Sequence, residues 1–133
     1  MTDGESLIAA NEAFYMAFAT GDADMMESLW SRNTEITCIH PGWPPLDGLD
    51  EVFGSWRCIL SAESPLIGIS NATAHTHGDL GYVICREHLE PGNLIATNIF
   101  TRESGEWKLV HHQAGISPSD PVPTVSESPS TIQ

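Results

Sequence analysis

The sequence is poor in positive charge. Lys and Arg together number five against 18 Asp and Glu, a formal net charge of −13. The five bases, Arg32, Arg57, Arg86, Arg102 and Lys108, are scattered, so no basic stripe collects phosphates. Nucleic acids and anionic membrane surfaces are therefore not expected as partners. No apolar run reaches the ~20 residues of a membrane span. The opening "MTDGES" is polar and acidic, without the look of a secretory signal. Gly-rich phosphate loops of the two common patterns are missing, and no serine has the motif context of a nucleophile. Cysteine is sparse: Cys38, Cys58 and Cys85 lie in apolar surroundings, and their number is odd. Reduced core thiols and a cytoplasmic location are the expectation. Metal ligands are also short. His75 and His77 share a strand face but lack a third partner, and His111 and His112 point to opposite faces of one strand. No metal or other cofactor is expected.

What is present fits one domain of ordinary apolar content, since 133 residues suffice for a sizeable core. Residues 2–20 read as an amphipathic helix. Thr2 and Glu5 have capping-box spacing, and Leu7, Asn11, Phe14 and Phe18 follow the helical period beside Ile8 and Tyr15. Gly21 stops it, and Asp22 caps a second helix with Met25, Met26, Leu29 and Trp30 facing inward. A short strand at 35–40 precedes the rigid loop "PGWPP". A third helix over 49–62 turns Val52, Phe53, Trp56, Ile59 and Leu60 to the core. The period then changes. Strands near 66–77, 81–90, 93–102 and 106–115 are separated by "GD", "PG" and "SG", turn signals at hairpin spacing. Helices followed by an antiparallel meander imply an α+β domain over 1–117. The Pro- and Ser-rich stretch 118–133 reads as a tail without regular structure.

Hairpin arithmetic assigns faces. With Ser104-Gly105 as one turn, Asn98 faces His111, Ala96 faces Gln113 and Phe100 faces Leu109. With Pro91-Gly92 as the other, Cys85 faces Asn98 and Glu87 faces Ala96. One face then gathers Val83, Cys85, Phe100, Trp107 and Leu109 with four polar groups, Glu87, Asn98, His111 and Gln113. This face is expected under the helices. The other holds Tyr82, Ile84, Arg86, Thr97, Ile99, Lys108, Val110 and His112. Its mixed character is what a sheet-on-sheet homodimer needs.

In this order, "ATGDADMMESLW", "CIHPGW" with "LDG", "ATNIFTRESGEW" and "VHHQ" resemble the nuclear transport factor 2 (NTF2)-like superfamily, in particular its SnoaL-like branch of small bacterial proteins. The chain is also similar to the association domain of calcium/calmodulin-dependent kinase. The resemblance spans about residues 5–117. It implies a cone-shaped α+β barrel of three N-terminal helices packed on a curved antiparallel sheet, enclosing a pocket and usually dimeric. That fold serves isomerases, dehydratases, polyketide cyclases, transport factors and oligomerisation domains, so it does not settle function. In the superfamily's ketosteroid isomerases a carboxylate base stands before a proline after the first strand; here His40 precedes Pro41. The helix-1 tyrosine that donates to the oxyanion corresponds to Phe14, with Tyr15 about 100° around the helix. Steroid isomerisation is therefore not expected.

Three functional readings follow. The first is a small-molecule-binding domain for an apolar or aromatic ligand with a polar end. Tyr15, Trp43, Trp56, Asn98 and Gln113 would contact it, with His40 at the rim. The second is an isomerase, dehydratase or cyclase with His40 or His111 as general base, and with Glu87 orienting His111. The third is an association module with a vestigial pocket. Each residue also has a plainer reading. His40 could fix its loop by hydrogen bonding. Trp43 could plug it, Trp56 could be core, and the four polar groups could satisfy one another.

Overall fold

Thr2 and Glu5 begin the first helix. In the computed structural model, which describes residues 1–62, 67–90 and 92–117, Thr2 Oγ1 accepts from the Glu5 N–H at 3.1 Å. Glu5 Oε1 accepts from the Thr2 N–H at 2.8 Å. This capping box opens α1 (Asp3–Thr20), and Gly21 closes it at φ 66°, a left-handed conformation that a side chain disfavours. Asp22 Oδ1 accepts from the Met25 N–H at 3.0 Å and starts α2 (Ala23–Ser28). Strand β1 (Thr37–Ile39) enters the Pro-rich loop. The two-residue β2 (Leu46–Asp47), too short to show an alternation, pairs back onto β1. Helix α3 (Gly48–Ser61) follows. The meander comprises β3 (Gly68–His77), β4 (Leu80–Leu89), β5 (Gly92–Glu103) and β6 (Glu106–Ile116).

The sheet order is β2-β1-β6-β5-β4-β3. β1 runs parallel to β6, so the sheet is mixed rather than wholly antiparallel. The intervening α3 and meander supply the long crossover that a parallel pair requires. The helices lie on one face. At Gly81 of β4 the approach leaves no room for a side chain, since a Cβ would come 2.5 Å from the Leu7 side chain. Helix and sheet bury Leu7, Phe14, Met26, Trp30, Val52, Trp56, Val83, Phe100 and Leu109 in one core.

Two registers decide the polar site. The β4–β5 ladder closes at Leu89–Gly92, which moves every partner by two residues: Val83 pairs with Asn98, Cys85 with Ala96 and Glu87 with Leu94. A two-residue shift preserves the faces, so Cys85, Glu87 and Asn98 still point inward. The β5–β6 ladder begins as the Ser104-Gly105 turn dictates, with both turn residues at positive φ and Phe100 opposite Leu109. The register then shifts at Ile99. Ile99 pairs with His111 and Asn98 with His112. One extra residue on β6 forms a β-bulge, and every later side chain of that strand changes face. His112 and Ala114 are buried, whereas Gln113 is exposed and His111 half-buried. The expected Asn98–His111 and Ala96–Gln113 pairs are therefore replaced by Asn98–His112 and Ala96–Ala114.

The cysteines need one correction. All three are unpaired, and Cys38 and Cys85 are buried, but Cys58 is exposed. It lies on α3 beside exposed Arg57, away from the buried stripe of Val52, Trp56 and Leu60. Among the described residues no helix is long and apolar enough to cross a membrane. The stretch 118–133 lies outside the described residues.

Candidate functional site

The bulge brings His112 to Asn98, and a hydrogen-bonded chain follows from that meeting. His112 Nδ1 lies 2.5 Å from Asn98 Oδ1. An amide oxygen only accepts, so Nδ1 carries the proton and Nε2 carries the lone pair. Asn98 Nδ2 donates to Asn11 Oδ1 at 2.8 Å and to the Tyr15 hydroxyl at 3.2 Å. Tyr15 donates to Glu87 Oε2 at 2.5 Å. Cys85 donates to the Tyr15 hydroxyl at 3.4 Å and receives a weak bond from Asn11 Nδ2 at 3.9 Å. The donors all run from His112 toward Glu87. α1 contributes Asn11 and Tyr15, one helical turn apart on its buried face, and β4, β5 and β6 contribute the rest.

A second group meets this chain from β1 and α3. Ser55 gives its one proton to the Val52 carbonyl at 2.7 Å. It therefore accepts from His40 Nε2, 2.9 Å away, which leaves the His40 lone pair on Nδ1. The His40 ring stands edge-on to Trp56 at 4.8 Å and to Trp43 at 4.9 Å. Its centroid is 6.2 Å from His112, and Trp56 lies 5.7 Å from His112. Phe14 packs on both Trp56 and His112. Trp43 is 42% exposed and covers His40 from outside, whereas Trp56 is buried. The indole N–H of Trp56 is buried without a partner among the described residues, as is that of Trp30 elsewhere in the core. His112 Nε2 likewise has no partner among them.

Burial disfavours charge throughout this site. It pushes the Glu87 carboxyl above its ordinary range, with the Tyr15 hydrogen bond opposing only in part. It raises the Tyr15 hydroxyl far above its usual value, with the Glu87 charge and Cys85 adding to the effect. His40 is lowered to about 4 by burial. His112 is lowered to about 3 by burial, then by His40 and His111. Burial raises the Cys38 thiol to about 12 and lifts Cys85 as well, so neither is a ready nucleophile. Among the described residues no cluster of His, Cys, Asp or Glu could hold a metal ion.

The structure thus brings together Tyr15, His40, Trp56, Glu87 and Asn98, with Trp43 at the edge. It separates His111 and Gln113 from them. Those two lie across the sheet, His111 bonded through Nδ1 to Thr37 at 2.6 Å, its Nε2 3.3 Å from Gln113 Oε1. The expected Glu87–His111 pair does not form. His111 instead lines a groove of about 670 Å³ on the outer sheet face with Leu80, Ile99, Val110, Glu35 and Glu103. Asn11 was legible only as a member of the apolar stripe of the first helix, and Ser55 was missed, although it lies between Val52 and Trp56 of the third. A polar residue on the buried side of an apolar helix is the signal that marks both. His112 carried no signal apart from the bulge that moves it.

A family model for a SnoaL-like domain matches residues 7–118. Among solved structures, a proposed dehydratase of the NTF2-like family from Streptomyces avermitilis is similar with a TM-score of 0.81 and 31% identity, over 88% of this chain and 97% of that one. A proposed calcium/calmodulin-dependent protein kinase type II association domain from Thiobacillus denitrificans is similar with a TM-score of 0.75 and 28% identity, over 83% and 94%. The F-box protein SKIP8 of Arabidopsis thaliana is 24% identical over 114 residues, 84% of this chain. The chain spans about half the length of that relative, 49%. From the matched span and the six-stranded mixed sheet under its helices, the chain belongs to the SnoaL-like domain family of the NTF2-like superfamily.

Proposed function

We propose that the domain binds a small apolar or aromatic molecule by its polar end, beside Trp56, His112 and His40. One observation carries this reading: the Trp56 indole N–H is buried without a partner among the described residues, beside the His112 and His40 rings. Such a donor costs ~1–3 kcal/mol when left unpaired. A ligand oxygen would recover it. Glu87, Tyr15 and Asn98 would act behind this point, fixing the His112 tautomer, and Trp43 would form the outer wall over His40. The test is ligand-dependent melting. A panel of small aromatic compounds should raise the midpoint of wild type and leave Trp56→Phe unshifted. A panel that moves neither protein removes the reading.

A second reading is favoured by the likeness to the proposed dehydratase. His40, kept neutral by burial, has a lone pair on Nδ1 and could take a proton from a bound substrate. Turnover lost in His40→Ala, with ligand binding retained, would establish an enzyme. His111 would belong to this chemistry only from the outer groove, so His111→Gln should leave it intact.

We further propose that two copies associate through the outer sheet face. Ile84, Ile95 and Leu80 are exposed there at 38%, 42% and 44%, beside half-buried Ile99 and Val110. An apolar centre of this kind is what soluble monomers avoid. Association through this face would also serve the reading of the domain as an oligomerisation module.

A further inference from the structure

We infer that the site selects an uncharged molecule that presents a hydroxyl group to Trp56 and His112. The inference rests on the binding reading above and gives its ligand a chemical class. Trp56 and His112 are adjacent rings, 5.7 Å between centroids, and each is almost fully buried. Trp56 offers a hydrogen and no acceptor, whereas His112 Nε2 offers a lone pair and no hydrogen. The second assignment is fixed by Asn98, whose oxygen holds the proton on Nδ1. Asn98 is itself locked, since both its amide hydrogens are spent on Asn11 and Tyr15.

A hydroxyl satisfies both rings at once, accepting from the indole and donating to the imidazole. A carboxylate brings acceptors only, and would set its charge against the Nε2 lone pair. An ammonium group brings donors only and leaves the indole unpaired. The carboxylate would also be buried without a counter-charge. Arg57 is engaged by Asp24 and Glu27, Arg102 by Asp3 and Asp79, and Lys108 by Glu106. Arg32 lies over Phe53. Arg86 is on the opposite face of the sheet. Among the described residues no cation reaches the site, and a buried ion without one is costly.

The experiment uses three probes that share one apolar body: 2-naphthol, 2-naphthoate and naphthalene. Affinities are measured by titration calorimetry at pH 7, and the Trp56 indole N–H resonance is followed by NMR. Naphthol should bind wild type about tenfold tighter than either other probe, the worth of one to two hydrogen bonds. The Trp56 resonance should shift with naphthol and much less with naphthalene. Trp56→Phe should remove the indole's share and bring naphthol closer to naphthalene. Should that variant fail to fold, the resonance shift in wild type decides alone. Naphthoate binding as tightly as naphthol would overturn the hydroxyl inference and leave the binding reading standing. An unmoved Trp56 resonance in the naphthol complex would do the same. No binding by any of the three would remove both.

Discussion

Asn98 Oδ1 and His112 Nδ1 lie 2.5 Å apart, at a point where the β5–β6 register has just moved by one residue. Without the bulge His111 would face inward and His112 outward. The polar interior of this domain therefore depends on a single extra residue in β6.

Truncating the hub of that interior should be costly. Asn98→Ala leaves His112, Asn11 and Tyr15 each short of a partner in a buried network. The expected loss is about 2–4 kcal/mol by urea denaturation, within the range for breaking a buried network. His111→Gln and Gln113→Ala, on the far face, should change stability by no more than ~0.5 kcal/mol. A large loss in Gln113→Ala would mean that the register is the unbulged one, with Gln113 inward.

Much of this architecture was legible. Capping residues, Gly21, Asp22 and the Ser-Gly turn place α1, α2 and the last hairpin within a residue or two of their observed ends. Hairpin closure conserves parity, so Glu87 and Asn98 come out inward even though the β4–β5 loop lies one residue earlier than expected. The bulge escapes that logic. Nothing in "KLVHHQ" distinguishes a regular ladder from one with an extra residue, because Val110 and His111 tolerate either face. The preference for His112 inside comes from Asn98 and Phe14, which are distant in sequence. Tyr15 was legible as buried. Its role as donor to Glu87 needed the relative placement of α1 and β4, which Gly81 sets by admitting Leu7.

Acid should destabilise the protein earlier than its carboxylates alone dictate. His40 and His112 are depressed from 6.5 to about 4 and about 3 in the fold. Below pH 6.5 the unfolded chain binds protons that the folded chain refuses, so stability falls as pH falls. The window runs from 6.5 to about 4 for His40 and on to about 3 for His112. Each adds a slope of up to ~1.4 kcal/mol per pH unit. Urea melts at pH 7.5, 6.0 and 5.0, at one protomer concentration, should show this decline. His40→Gln should flatten part of it. A flat profile from 7.5 to 5.0 would place both imidazoles in contact with water.

Glu87 should act in the opposite direction. Its carboxyl is raised, so the folded protein keeps a proton that the unfolded chain loses above about 4.5, the ordinary value. Stability is therefore lost as pH rises from 4.5 through the folded value, and the deficit persists above it. Glu87→Gln keeps an acceptor for Tyr15 and cannot ionise. Its stability relative to wild type should improve from pH 4.5 toward neutrality. A difference that stays constant with pH would show that Glu87 is ionised in the fold and stabilised by some other donor.

Association through the outer face makes the last prediction. Ile84 and Ile99 sit on adjacent strands, with Ile99 and Val110 flooring the groove that Glu35 and Glu103 wall. Half-buried Arg86, two residues from Ile84 on β4, and Lys108, two from Val110 on β6, add polar groups around this apolar centre. The net charge of −13 opposes pairing. That repulsion is diffuse, and salt screens it over ~8–10 Å. Burial of apolar area at ~25 cal/mol per Å² acts locally and outweighs it across a standard interface. Wild type should therefore sediment as a dimer at micromolar concentration and moderate salt. Lowering the salt should weaken the dimer. Ile84→Lys should dissociate it by setting an unpaired charge at the centre. Ile99→Lys should do so less completely, because Glu35 and Glu103 line the same groove and can compensate the new cation. A wild-type monomer under these conditions sinks the proposal, and a dimer that both variants leave unchanged moves the interface to another face.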